Sequence, residues 1–202
     1  MCRALHATFL SEMLAGLTGN FGTGKSTVLG LFRALGAVTV SADEIVHRLL
    51  GLDAIKGELV AVAGDILAQD GKIDKRKMAG VVFSDAAIRA GVEAIIHPHV
   101  MREIKELHGR NAGGIVVAEI PLLFEGGFER DVDVTITVIS TAEAINQRLI
   151  RKGYSQQEAA RRLAAQMAGG KKAQMSTYVI DNSSTLDILQ RQVEAVFERL
   201  TA

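Results

Sequence analysis

The sequence predicts an α/β fold in three layers, a parallel sheet covered by helices on both faces, and three observations predict it. Short apolar runs alternate along the chain with segments of helical periodicity, the pattern of parallel strands joined by right-handed crossover helices. The runs at 114–119 and 132–139 are apolar and β-branched, as strands covered on two faces should be. Between the first of them and the first helix lies Gly19-Asn20-Phe21-Gly22-Thr23-Gly24-Lys25-Ser26-Thr27, which fits the glycine-x4-glycine-lysine-serine phosphate loop in full. The expected core is therefore a P-loop nucleotide-binding domain.

The elements follow in order. Leu14 to Thr18 is a buried strand, Ser26 to Leu35 a helix, Gly36 its C′ glycine, and Ala37 to Val40 a second strand. Residues 44–110 then carry apolar residues at helical spacing with almost no strand signal, an all-helical insertion between strands. Within it Asp74 and Ser84 read as N-caps, and Pro98 suits the first position of a helix it opens. The sheet resumes over residues 114–119 and 132–139. A helix from about Ala142 to Arg151 leads into a polar helical hairpin, Tyr178 to Ile180 is a last short strand, and Ser184-Thr185-Leu186-Asp187 caps a closing amphipathic helix. Met13 stands almost directly on the first strand and reads as the natural start, with residues 1–12 an extension that plays no part in the fold.

Composition narrows the function classes. A chain of 202 residues can bury roughly 70% of its unfolded surface, so it needs no staples. The single cysteine, Cys2, excludes an internal disulfide and fits a reducing cytoplasm. With 23 basic and 23 acidic residues there is no global field favouring nucleic acid or an anionic membrane, so any phosphate binding must be local. No apolar run approaches the ~20 residues that span a bilayer, and residues 1–12 lack the apolar centre of a secretory signal. A soluble, cytoplasmic protein is expected.

The loop binds phosphate by turning successive backbone N–H groups inward at the positive end of the helix that begins near Lys25. Gly19, Gly22 and Gly24 permit positive φ and a close approach of the backbone. Gly22, Thr23, Gly24, Lys25, Ser26 and Thr27 are the expected nucleotide-binding residues, with Lys25 a point charge for the β and γ phosphates and the Ser26 hydroxyl a ligand for Mg²⁺.

Ligands bind a parallel sheet at the edge where its strands end, and three further features fall there. Asp43 follows the second strand and could accept a proton from an attacking hydroxyl; equally, Ser41 and Glu44 could form a capping box, with Asp43 favouring the helix's positive end. Glu119 ends an apolar strand and could hold water on Mg²⁺, or be a strand-end surface glutamate. Arg148, Arg151, Lys152, Arg161 and Arg162 could form a lid that closes over ATP, or a solvated charged face. His97 and His99 flank Pro98 without a third clustered ligand, which argues against zinc.

Taken together, GLTGNFGTGKSTV at 16–28, SADEIVHRLL at 41–50, DGKIDKRKMAGVVF at 70–83, IIHPHV at 95–100, EIPLLFEGG at 119–127, QRLIRKGYSQQEAARRLAAQM at 147–167 and YVIDNS at 178–183 resemble dephospho-CoA kinase, from about Leu14 to Leu200. The resemblance implies ATP-dependent phosphorylation of the ribose 3′-hydroxyl of dephospho-CoA, the last step of coenzyme A biosynthesis, with ATP and Mg²⁺ and a small-molecule partner. It implies a core of residues 14–43, 111–147 and 172–202, a helical CoA-precursor domain over 44–110, and a lid over 148–171. By matching position, Asp43 is the base, Gly22 to Thr27 the ATP loop, and Arg148 and Arg151 the lid arginines. Asn20-Phe21, Ser176-Thr177 and Ala168-Gly169-Gly170 depart from the family's usual residues. A P-loop kinase for another small hydroxyl would share the core; a GTP-binding switch is disfavoured by the lack of an asparagine-lysine-x-aspartate segment.

Overall fold

The structure, a computed structural model, describes residues 12–202; the expectation for the N-terminal extension lies, Glu12 apart, outside the described residues. In chain order the elements are β1 (Met13–Gly19), α1 (Lys25–Ala34), β2 (Val38–Ser41), α2 (Ala42–Leu49), α3 (Asp53–Ala63), α4 (Lys75–Ser84), α5 (Ala86–Arg110), β3 (Ile115–Glu119), a 3-10 turn (Phe128–Asp131), β4 (Val134–Ile139), α6 (Ala142–Arg151), α7 (Gln156–Ala164), α8 (Gly169–Met175), β5 (Tyr178–Asp181) and α9 (Leu186–Thr201). The chain forms two compact units, one from the chain up to Val40 with Leu107–Ala202, the other Ser41–Glu106.

The sheet runs in the order β2-β3-β1-β4-β5, and β1 pairs in parallel with both β3 and β4, as β4 does with β5. One face carries Ala15, Leu17, Ile115, Val117, Ile136, Val138 and Ile180, packed on Val28, Leu29 and Phe32 of α1 and Leu189, Val193, Val196 and Leu200 of α9. This is the core of the first unit. Phe32 has 0% of its surface exposed, and truncation to alanine there would cost about 3–5 kcal/mol.

On the opposite face Gly16 leaves room for Leu123, whose methyl carbons would stand 3.1 Å from any Cβ at that position. Helix α8 covers β4 by polar contacts: Thr137 Oγ1 meets Ser176 Oγ at 2.5 Å, and Thr177 N donates to Thr135 Oγ1 at 3.0 Å. Ser176 and Thr177 thus give the buried hydroxyls of Thr137 and Thr135 on β4 their partners, as burial requires.

The second unit is helical, with one isolated antiparallel bridge between Leu67 and Ile73. Three local readings are corrected there. Asp74 caps α4 as expected, but Ser84 is the last residue of that helix. Asp85 caps α5 instead, its Oδ1 accepting from Ala87 N at 2.7 Å and Ile88 N at 3.2 Å; a carboxylate accepts more strongly than a hydroxyl. Pro98 does not open a helix but sits inside α5. The buried stripe Val92, Ile96, Val100, Met101 and Ile104 continues past it, and Pro98 lies on the exposed side, where the Ala94 carbonyl it cannot bond can be hydrated. Ser41 occupies the N-cap of α2 without a side-chain capping bond, so the capping box with Glu44, the alternative reading of this segment, does not form. In the first unit, likewise, Thr185 stands at the N-cap of α9 without a side-chain bond.

Candidate active site

The phosphate loop is built by its own hydrogen bonds. The Asn20 carbonyl accepts from Thr23 N at 3.2 Å, Thr23 Oγ1 at 2.9 Å and Lys25 Nζ at 3.4 Å, which closes the turn around one oxygen. Gly24 is the N-cap of α1 at φ 93°, and the first turn of that helix contains no acidic residue. The helix therefore presents an uncompensated positive end to the loop. Gly19 is also in the left-handed half of φ space, and a Cβ there would strike the Val138 carbonyl on β4. That glycine is a packing requirement as well as a conformational one.

Lys25 is thus the first residue of α1, with Ser26 and Thr27 exposed beside it. Glu119 ends β3 half-buried, level with Leu17 on β1 and so close to where the loop departs from the sheet. Arg148, on α6, directs Nη1 to Ser140 Oγ at 3.0 Å and Thr23 O at 3.4 Å, and Nη2 to Asn182 O at 2.6 Å. Arg151 is exposed, its Nε donating to Gln147 O at 3.3 Å. The structure thus brings Gly22, Thr23, Gly24, Lys25, Ser26, Thr27 and Arg148 together and leaves Arg151 at the surface. Asp43 belongs to the second unit, in the first turn of α2, exposed and with no side-chain hydrogen bond or ion pair among the described residues.

The segment after α6, expected to be a helical hairpin in itself, holds one helix, α7, which pairs with α6 as a hairpin; its contacts with the loop were not foreseen. Phe21 meets Tyr154 edge-on with ring centroids 5.0 Å apart, and the Arg162 guanidinium lies 4.9 Å from the Phe21 ring and 5.1 Å from that of Tyr154. Gln166 Oε1 accepts from Phe21 N at 2.8 Å, and Met167 O accepts from Asn20 Nδ2 at 3.0 Å. Asn20 and Phe21, the loop residues expected to depart from the family's usual ones, reach α7 and the segment after it, while Thr23 O meets Arg148 of α6.

Sequence reasoning also missed three polar residues. Lys172 on α8 is wholly buried, donating to Pro121 O and pairing with Glu125 Oε1, each at 2.9 Å. Glu125 Oε1 in turn accepts from Met167 N at 2.9 Å, so the segment after α7 is fixed despite its glycines. Asn182, just beyond β5, donates Nδ2 to Thr23 O at 2.8 Å. Glu125 and Asn182 both fall in segments quoted for the family resemblance, which was the available signal; for Lys172 there was none.

The donor set fits a nucleotide with its divalent cation. A cradle held open by glycines, at a helix start without acids, suits polyphosphate. A hydroxyl at Ser26 and a carboxylate at Glu119 are oxygen donors of the kind Mg²⁺ takes. Among the described residues there is no group of three or more histidines, cysteines or acids that could hold a metal ion by itself. No helix among them is long and apolar enough to cross a membrane.

Comparison with known proteins agrees with this arrangement. The family model for dephospho-CoA kinase matches residues 13–187. A dephospho-CoA kinase of Symbiobacterium thermophilum is 38% identical over 190 residues, covering 91% of this chain and 80% of that protein. Another, of Aquifex aeolicus, is 35% identical over 189 residues, covering 92% of this chain and 96% of its own. The crystal structure of TT1252 from Thermus thermophilus superposes with a TM-score of 0.84 at 34% identity, covering 94% of this chain and 98% of that one. With a match that runs from β1 into α9, the chain belongs to the dephospho-CoA kinase family.

Proposed function

We propose that the protein transfers the γ-phosphoryl group of ATP to the ribose 3′-hydroxyl of dephospho-CoA, giving CoA and ADP, as the last step of coenzyme A biosynthesis in the cytoplasm. The observation that carries this is the glycine cradle at the start of α1 in a chain of this family. The hydroxyl oxygen attacks γ-phosphorus, the bond to the β–γ bridging oxygen breaks, and the hydroxyl proton leaves to a base.

Lys25 and the inward amides of Gly22 to Thr27 hold the β and γ phosphates. Ser26 and Glu119 would hold Mg²⁺, which would neutralise phosphate charge when bound. Asp43 orients the 3′-hydroxyl and takes its proton; an exposed carboxylate with no partner among the described residues is available for that role. Arg151, on the outer face of the last turn of α6, supplies positive charge to the transferring group when the α6–α7 hairpin closes, and Arg148 contributes from the loop side.

The test is ADP release from Mg-ATP with dephospho-CoA, nucleoside monophosphates, uridine, gluconate and shikimate as acceptors, with the product identified by mass. Turnover confined to dephospho-CoA, with CoA as product, is the expected result. Turnover on another acceptor alone would refute the proposed substrate.

A further inference from the structure

The loop is held from behind by a residue that no part of the proposed chemistry uses. Asn182 lies 159 positions from Thr23 in sequence, yet its Nδ2 donates to the Thr23 carbonyl at 2.8 Å. It is 7% exposed. Its own backbone is fixed independently of the loop: Asn182 N donates to Ile139 O at 2.9 Å, and Asn182 O accepts from Ser140 Oγ at 2.8 Å and Arg148 Nη2 at 2.6 Å. The amide is thus anchored to the ends of β4 and β5 and to α6, a rigid mount for a side chain pointing at the loop.

The other end of Thr23 is held as firmly. Its N–H and its hydroxyl both donate to Asn20 O. That N–H belongs to the preceding peptide; the Thr23 carbonyl, held by Asn182 Nδ2 at 2.8 Å and Arg148 Nη1 at 3.4 Å, belongs to the Thr23–Gly24 peptide and fixes the direction of its plane. A trans peptide is planar, so its N–H points opposite to its carbonyl, and the described chain has no cis bonds. Drawing the Thr23 oxygen back toward Asn182 therefore aims the Gly24 N–H forward, into the concavity of the loop. The approach is close enough that a Cβ at Gly24 would collide with the Asn182 amide nitrogen.

Charge supports the same arrangement. The partners of Arg148 are neutral oxygens, on Thr23, Ser140 and Asn182, and it has no carboxylate partner among the described residues. Its guanidinium charge is left uncompensated beside the negative end of the Thr23 carbonyl dipole, where it offsets the repulsion that dipole would exert on an anion.

We infer that Asn182, with Arg148 behind it, is a positioning residue for phosphate binding: it turns the Thr23–Gly24 peptide so that the Gly24 N–H faces the bound phosphates. The inference deepens the proposed function and rests on the reading of the loop as a phosphate cradle. It concerns the phosphate chain, not the base, and the probes are chosen accordingly.

Calorimetric Kd values for inorganic tripolyphosphate and for Mg-ADP should be measured on the wild type, Asn182→Ala and Asn182→Asp. Replacing the amide by alanine should weaken both ligands by about tenfold, the loss of one aligned donor. Asn182→Asp, which sets a carboxylate against the Thr23 oxygen, should weaken both further, with the KM for dephospho-CoA unchanged in each variant. Weaker Mg-ADP with unchanged tripolyphosphate would make Asn182 a base contact and overturn the inference; unchanged affinity for both would overturn it too. In the wild type, whose folding is not at issue, tripolyphosphate should shift the Gly24 amide resonance downfield, and a Gly24 resonance that stays in place would also overturn it. Wild-type protein that binds neither ligand would remove the phosphate-loop reading and this inference together, whereas phosphate binding without turnover of dephospho-CoA would refute the proposed substrate alone.

Discussion

Lys172 and Glu125 form an ion pair of 2.9 Å in which the lysine side chain is completely shielded from solvent and the glutamate is 21% exposed. The pair joins α8 to the turn after β3, and the same glutamate oxygen holds Met167 N. Removing one partner of a buried pair strands the other, at about 3–5 kcal/mol, whereas an apolar replacement of both is often neutral. Because Glu125 retains some access to water, Lys172→Met is expected at the low end, near 3 kcal/mol. For a chain of this size that lowers Tm by about 6–12 °C. The double variant Lys172→Met/Glu125→Gln should recover part of the loss. Differential scanning calorimetry decides it: a single variant as stable as the wild type would show that the pair contributes nothing.

The loop–hairpin contact at Phe21 leads to a second prediction. An edge-on aromatic pair adds about 0.5–1.5 kcal/mol beyond its buried area, and a partly exposed cation over a ring about 0.5–1 kcal/mol. Phe21→Ala removes its ring from both contacts, so local opening of the hairpin should become easier by about 1–2 kcal/mol, or roughly 5–30-fold. Trypsin cleavage after Arg161 and Arg162 should accelerate by that factor while global Tm moves little. The chain has two tyrosines and no tryptophan, so a change in tyrosine emission reports the loss of the Tyr154 contact. Unaltered cleavage would mean that Phe21 does not restrain the hairpin.

What the sequence made legible, and what it hid, divides by locality. The run from β1 through the loop into α1 is encoded by consecutive residues, and glycine spacing with a following Lys-Ser pair has few other uses. Helix α6 appears at its expected bounds, Ala142–Arg151, because its apolar spacing is strong. Pro98 misled because a proline rule is local, whereas the long apolar stripe of α5 is what decides continuity. Lys172 was invisible for the converse reason. Its carbonyl partner is 51 positions away, and a lysine beside another lysine reads as solvated surface until the turn that receives it is known. Asn182 is hidden in the same way: nothing in its neighbourhood announces that it will meet Thr23.

Separate roles for Lys25 and Asp43 should appear as a split in kinetic parameters. Lys25→Ala removes the charge proposed to hold the phosphates and should abolish measurable turnover. Asp43→Asn keeps the shape but cannot accept a proton, and should lower kcat by about 10²-fold or more, the usual worth of a positioned general base. Its KM for ATP should hardly change. A kcat within twofold of wild type would remove Asp43 from the mechanism.

His97 supplies a pH dependence of stability with a definite sign. Burial pushes its imidazole below the ordinary value of 6.5, and the nearby Glu93 carboxylate only partly opposes this. Protonation is thus easier in the unfolded chain than in the folded one, so the unfolded state binds more protons and stability rises with pH. The contribution is fully present above about pH 6.5, where the unfolded imidazole is neutral, and is lost as pH falls toward and through the lower folded value. His97→Gln keeps a polar side chain of similar reach but cannot titrate. The drop in urea midpoint between about pH 7.5 and 5.5 should be smaller in this variant than in the wild type, since exposed carboxylates that titrate lower affect both proteins alike. Equal drops in the two proteins would show that His97 is as readily protonated in the folded protein as in the unfolded one, and that its burial carries no cost for charge.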